Sequence, residues 1–309
     1  VLGSNSARAG EGANAIEARE QSHDRGWRAE LEIEVERRAE RSVVARSRHF
    51  GPLRIQRAFY PEGDEVCHLY VLHPPGGIAS ADTLHIDLKV GPAANALVTT
   101  PGAGKLYRSR GLFAEVQQQL SVAAGARLEW FPQETIAFAG AEARLCTRIE
   151  LSADAVYAGW EILCLGRPAC AERFARGRII NELSLSVDGR LRFMERADFI
   201  GDDAVLSEAW GLGGAPVLGT FVIAHPSLRA APVGSTIGER PEEAWLDALR
   251  ENIEAREGLF AVTPVSGLLV ARYLGRSTLD ARACFERMFA LSRPHYAGRV
   301  ATPPRIWRT

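Results

Sequence analysis

The chain has 309 residues, 46% of them hydrophobic and 24% charged, with a formal net charge of -1. That is enough apolar residue to bury a large core, while Arg and acid are interspersed without the basic block of a nucleic-acid binder. No run reaches the ~20 apolar residues of a membrane span, and VLGSNSARAGEG lacks the apolar segment of a secretion signal, so a cytoplasmic protein is expected.

Cys67, Cys146, Cys164, Cys170 and Cys284 form an odd set without a CxxC, which fits reduced thiols better than a disulfide framework. Residues 1–25 are rich in Ala, Gly, Ser, Glu and Arg with no apolar period, and are expected to be a disordered tail. Residues 26–309 are expected to form a single β-rich domain. Its first strand is signalled by Leu31, Ile33 and Val35, spaced by two as a half-buried strand requires.

Cys67, His68, His73 and His85 are metal-ligand types close together in sequence. On one strand Cys67 and His68 point to opposite faces, so a closed cage would need a sharp bend at Pro74-Pro75. In LHIDLKV, Leu84, Ile86, Leu88 and Val90 share a face opposite His85, Asp87 and Lys89. Gly102 to Lys105 ends like a nucleotide-binding P-loop, but Thr99 stands where the first glycine belongs and Leu106 where the magnesium-ligating hydroxyl belongs. A turn between strands is expected there.

Leu145, Thr147, Ile149 and Leu151 alternate with Arg144, Cys146, Arg148 and Glu150. Asp188-Gly189 supplies a two-residue turn between Leu183, Leu185, Val187 and Leu191, Phe193. Gly211 to Gly219 reads as a loop. Helices are predicted over 241–257, with Trp245, Leu249 and Ile253 on one stripe and Gly258 as a stop, and over 279–292. The second is capped by Ser277 with Asp280, carries Leu279, Phe285, Met288 and Phe289 on a stripe, and ends before Pro294. The fold class is therefore mainly β, with sandwich, barrel and β-solenoid left open by the pattern. The lack of a fixed-length repeat weighs against a regular solenoid. No GxSxG surrounds Ser80, Ser109, Ser121 or Ser207, and nothing demands an enzyme.

Four segments are more specific: LHPPGG (Leu72 to Gly77), TTPGAGKLYRS (Thr99 to Ser109), LEWFPQETI (Leu128 to Ile136) and LGRPACAERF (Leu165 to Phe174). In this order the chain resembles the urease accessory protein D family, UreD or UreH, from about Gly51 to the C-terminus. Gly104 departs from the family pattern, which is closer to TTPGATK. The resemblance implies a β-helical stack of short strands with two helices in the C-terminal third, a sandwich being the alternative. It implies a non-enzymatic chaperone that assists nickel insertion into apo-urease together with UreF and the GTPase UreG. Nickel would be transient cargo with no tightly bound cofactor, no nucleic acid or membrane partner, and dimerisation within the accessory complex. The alternative from another class is a β-solenoid or barrel enzyme acting on a polymeric substrate.

Carboxylates beside these segments are candidates for the ion's path: Asp82, Glu129, Glu134 and Glu161, with His73 as a weaker member. Acids among bulky apolar residues must find a cation, a donor or water. Pairing with arginines such as Arg167 or Arg196 is the structural alternative. Trp245, Phe285 and Phe289, aromatic residues on amphipathic helices, are the candidate partner-binding anchors.

Overall fold

A computed structural model describes residues 26–229 and 241–308; the expected tail over 1–25 lies outside the described residues. In chain order the strands are β1 (Arg28–Arg38), β2 (Arg41–Phe50), β3 (Arg54–Ile55), β4 (Cys67–Leu72), β5 (Thr83–Val90), β6 (Asn95–Thr99), β7 (Gly104–Leu106), β8 (Ala114–Val122) and β9 (Arg127–Phe131). They continue as β10 (Thr135–Ala137), β11 (Glu142–Leu151), β12 (Val156–Arg167), β13 (Glu172–Arg173), β14 (Arg178–Val187), β15 (Arg190–Ile200), β16 (Val217–Ala224), β17 (Gly258–Val265) and β18 (Leu268–Gly275). Two single-turn helices, α1 (Ala204–Ser207) and α2 (Pro226–Arg229), precede the long helices α3 (Pro241–Asn252) and α4 (Thr278–Ala297).

The chain winds as a β-helical coil. β5, β8, β11 and β14 stack in parallel in one sheet, while β6, β9 and β12 stack in parallel in a second sheet. The short strands β7 and β10 form a third parallel stack with residues 163–165 of β12. Coils begin at Thr83, Ala114, Glu142 and Arg178, so their lengths are unequal. Hydrogen-bond register, not corner length, aligns them, which is why a solenoid exists without a sequence repeat. The first sheet runs β15-β14-β11-β8-β5-β1-β2 and the main path of the second runs β17-β18-β16-β12-β9-β6-β4-β3.

The two sheets differ in what covers them. In the first, alternation is clean because one face meets solvent: Leu84, Ile86, Leu88 and Val90 are buried, while His85 is exposed. The central part of the second sheet, from β16 through β12, β9 and β6 to β4, is covered on both faces, while the edge strand β17 is largely exposed. Tyr157, Leu163 and Leu165 of β12 pack between the sheets, and Ala158, Trp160, Ile162 and Cys164 pack under the helices. Its strands therefore read as continuous apolar runs, such as β16, VLGTFVIA.

Several sequence expectations need correction. Trp245, Phe285 and Phe289, expected as partner-binding anchors, are 5%, 0% and 0% exposed. They form the helix-side core of this chain, where Phe289 meets Phe131 at 5.0 Å and Phe285 meets Trp160 at 6.0 Å between ring centroids. An apolar helical stripe looks alike whether it covers its own sheet or a partner. Leu279 is exposed and off the stripe, which is made by Ala281, Cys284, Phe285, Met288 and Phe289. Pro294 lies inside α4, which continues to Ala297 because Arg293 and Tyr296 are both anchored in the core. Helix α3 stops at Asn252, and Gly258 opens β17. The expected Ser277 cap is present, with its hydroxyl accepting from Asp280 N–H at 3.2 Å.

A dry ion-pair network clamps α4 onto the second sheet. Arg293 donates to both oxygens of Glu129 (2.8 and 2.9 Å) and both of Glu62 (2.8 and 2.5 Å), and to the Val300 carbonyl at 3.1 Å. Tyr296 donates to Glu129 at 2.7 Å, and His68 Nε2 lies 2.6 Å from Glu62. Burial alone would push the Glu62 carboxyl up, but the hydrogen bonds from His68 and Arg293 outweigh it and bring it down to about 2.

The Asp188-Gly189 turn closes β14 on β15, with φ values of 47° and 70°. The pairing slips between Leu185 and Ser186, so Leu185 faces Phe193 and Ser186 faces Leu191. This bulge puts Leu191 on the solvent side, where alternation from Phe193 had placed it in the core.

Three outcomes follow. Gly189→Val should lower stability by about 1 kcal/mol, because a β-branched residue resists positive φ even though nothing lies within 4 Å of the added Cβ; a melting curve checks it. Glu129→Gln should cost about 3 kcal/mol by leaving part of the Arg293 charge unmatched in a dry site; denaturant titration reads this. Since the Glu62 pKa is depressed, its contribution is complete above the ordinary value of about 4.3 and is lost as pH falls towards about 2.

Candidate functional site

A polar cavity of about 100 Å³ lies within the otherwise apolar space between the sheets. From the first sheet it receives Gln118 of β8, Thr147 of β11, Asn181 of β14 and Glu195 of β15. From the second it receives Glu161 of β12 and Thr220 of β16. Gln133 and Thr135, before and in β10, complete its polar wall. Each of these strands turns every second side chain inward, so a single polar residue in that register suffices: Gln118 stands between Val116 and Leu120, and Asn181 between Ile179 and Leu183. Parallel stacking then brings the substitutions of successive coils side by side.

The two cavity acids are treated differently. Glu195 accepts from Thr220 at 3.0 Å and from Arg272 at 2.5 Å. Among the described residues Glu161 has no cation partner and accepts only from the Thr147 hydroxyl and, at 3.4 Å, from the Asn181 amide. Burial pushes its carboxyl above the ordinary range, the two hydrogen bonds pull it down, and the charge of Glu195 pushes it up again. The result is a carboxylate that lacks positive charge, set among amide and hydroxyl oxygens. That donor set suits weak, exchangeable contact with a divalent cation or water better than tight capture. Among the described residues no three His, Cys, Asp or Glu side chains converge as a metal cage.

The other sequence candidates lie elsewhere. Glu129 is on the helix side of β9, held by Arg293 and Tyr296. Glu134 is also away from the cavity, with Arg282 at 3.8 Å and one carboxylate oxygen buried without a hydrogen bond. Asp82 accepts from the backbone N–H groups of Trp27 and Ala79, each at 2.7 Å, and so fastens a corner of the coil. His73 is half-buried beside it; burial lowers its pKa and Asp82 opposes that shift. The four acids therefore do not line one passage, because β9 and β12 present Glu129 and Glu161 to opposite sides of a sheet. Arg167 pairs with Glu172 and Arg196 with Glu182, so neither is the partner of a candidate acid.

Cys67 packs in the core between the sheets, His68 faces the helices and His85 faces outward from β5, so these candidate ligands diverge. Residues 100–103 connect β6 to β7, and Gly104 and Lys105, expected in the turn, are the first two residues of β7. Glu195, Gln118, Thr147, Asn181 and Thr220 were not recognised from sequence. Their signal was present as polar residues interrupting the apolar register of successive coils. Glu62 and Arg293 carried no such local signal.

The UreD urease accessory protein family profile matches residues 27–308. The chain is 45% identical over 287 residues to the urease accessory protein UreD of Dechloromonas aromatica (strain RCB), across 93% of this chain and 96% of that protein. Identity is 44% over 284 residues to the UreD protein of Azoarcus sp. (strain BH72), across 92% and 95% of the two. It is 41% over 287 residues to that of Methylobacillus flagellatus, across 93% and 96%. A match of this length, spanning both sheets and the helical layer, means that the chain belongs to the UreD family of urease accessory proteins.

Proposed function

We propose that this chain is a non-enzymatic, cytoplasmic scaffold in urease maturation, which binds apo-urease and UreF and works with UreG as the source of GTP hydrolysis. Nickel is its transient cargo, and the cavity at Glu161 is a point on the ion's route. The observation that carries this reading is the buried carboxylate without a counter-cation among oxygen donors from both sheets. A divalent ion passing there gains charge compensation that the protein itself withholds, and the sparse donor set lets it leave. Multi-oxygen contact of this kind differs from a closed cage, which would retain the ion. An enzyme acting on a polymer is less well supported, since the two acids that come together, Glu161 and Glu195, lie in a cavity of about 100 Å³ between the sheets, which is too small for a polymer chain.

Glu161→Gln keeps the shape of the side chain and removes the charge. With apo-urease, UreF, UreG, nickel and GTP, the variant should assemble the complex normally while nickel content per urease falls severalfold. Full nickel loading at normal assembly would exclude Glu161 from the route.

The same substitution has a stability signature of known sign. Since the folded pKa is raised, the contribution of the protonated carboxyl is complete below the unfolded value of about 4.3 and is lost as pH rises through the folded value. The glutamine variant does not ionise, so its stability relative to the parent should increase from pH 4 to pH 8. Denaturation midpoints at the two pH values measure the change.

A further inference from the structure

At one end of the first sheet the corners of successive coils are hydrogen-bonded to one another. Ser109 N–H donates to the Gly140 carbonyl at 2.8 Å, Gly140 N–H to the Arg176 carbonyl at 2.7 Å, and Gly201 N–H to the Gly177 carbonyl at 2.9 Å. Three neighbouring rungs thus carry Arg108, Gly140 and Arg176. The middle one has no side chain, and both arginines lean into the vacant position. A Cβ on Gly140 would lie 3.0 Å from Arg108 Cγ and 3.5 Å from Arg176 Nε.

Both arginines are exposed, and neither guanidinium donates to an acceptor among the described residues. Arg176 does feel Glu172, but that carboxylate is already committed to Arg167 and to the Ala139 N–H. Arg110, also exposed, follows on the same corner, and Arg167 lies over the Phe138 ring at 4.2 Å. Two like charges drawn together over a glycine repel each other unless an anion bridges them. Directly beside this corner is a second cavity, of about 260 Å³, lined by Leu165, Pro168, Phe174, Leu206, Leu212 and Pro216. Glu172 lines this cavity while also bonding the corner, so the basic and apolar features are contiguous.

We propose that this corner docks an acidic segment of a partner protein, with a carboxylate held across Arg108 and Arg176 and an apolar side chain seated in the adjoining cavity. The inference rests on the scaffold reading above and specifies the chemistry of one partner contact. Arginine forks match carboxylate geometry, and a neighbouring apolar pocket excludes water from the pair, which strengthens it. Charge complementarity selects the occupant: a purely apolar segment would leave the arginine pair unbridged.

The test uses the full chain and a fluorescently labelled decapeptide in which glutamate and leucine alternate, followed by anisotropy. Binding that weakens with added salt is expected, with a loss of about tenfold or more in the Arg108→Ala, Arg176→Ala double variant. Leu212→Ser should weaken binding through the cavity, whereas Arg48→Ala, an exposed arginine on β2, should leave it unchanged. Circular dichroism confirms that each variant is folded. Equal affinity of the double variant, or equal binding of a peptide with glutamine in place of glutamate, overturns the proposal. So does concentration-dependent self-association abolished by the double variant, since that would seat a second copy in the corner. No nickel, urease or GTP enters the measurement, so its failure leaves the Glu161 route standing, and failure of the nickel experiment leaves the corner standing.

Discussion

The central strands of the second sheet have no solvent face, and most of this molecule's chemistry follows from that constraint. Between the first sheet on one side and α3 and α4 on the other, they must be apolar in both registers. Any charged group there must be neutralised, paired or left under electrostatic tension, because bulk water does not reach it freely. Glu129 and Glu161, on neighbouring parallel strands of this sheet, represent two of these outcomes.

Glu129 faces the helices and is matched by the Arg293 guanidinium, which it shares with Glu62, and by the Tyr296 phenol. Its role is structural, since the network holds Arg293 in one orientation and with it the last turns of α4. Glu161 faces the other sheet and is given hydroxyl and amide dipoles but no cation. Its charge is conditional on pH or on the arrival of a positive ion. The one-residue alternation of a β-strand thus separates a fastening group from a responsive one across the thickness of a single sheet.

Much of the β architecture was legible because it rests on local signals. Leu84 to Val90 show their burial by alternation, Asp188-Gly189 its turn by composition, and Ser277 its helix cap by position. The four family segments carried the solenoid reading that periodicity alone left open. What stayed hidden depends on contacts between distant parts of the chain. Arg293 and Glu62 are 231 residues apart, so no local pattern announces their pairing. The bulge at Leu185 and Ser186 reverses the facing of Leu191 without leaving a mark in composition. Of the candidate acids, only Glu161 reached the cavity, because facing within a fully buried strand cannot be read where both registers are apolar.

The position of Arg293 after all the strands in chain order also has a consequence for how the protein comes to be folded. The coil can stack rung upon rung as it is synthesised, but the second sheet stays uncovered on its helix side until α4 arrives. Until then Phe131, Trp160 and Phe221 lack their lid, and Glu62 and Glu129 lack their counter-ion. Closure therefore depends on contacts of very high sequence separation, whose loop entropy delays them. A nascent or truncated chain that ends before α4 presents a broad aromatic surface with two unmatched acids, the kind of surface that draws holdases and proteases.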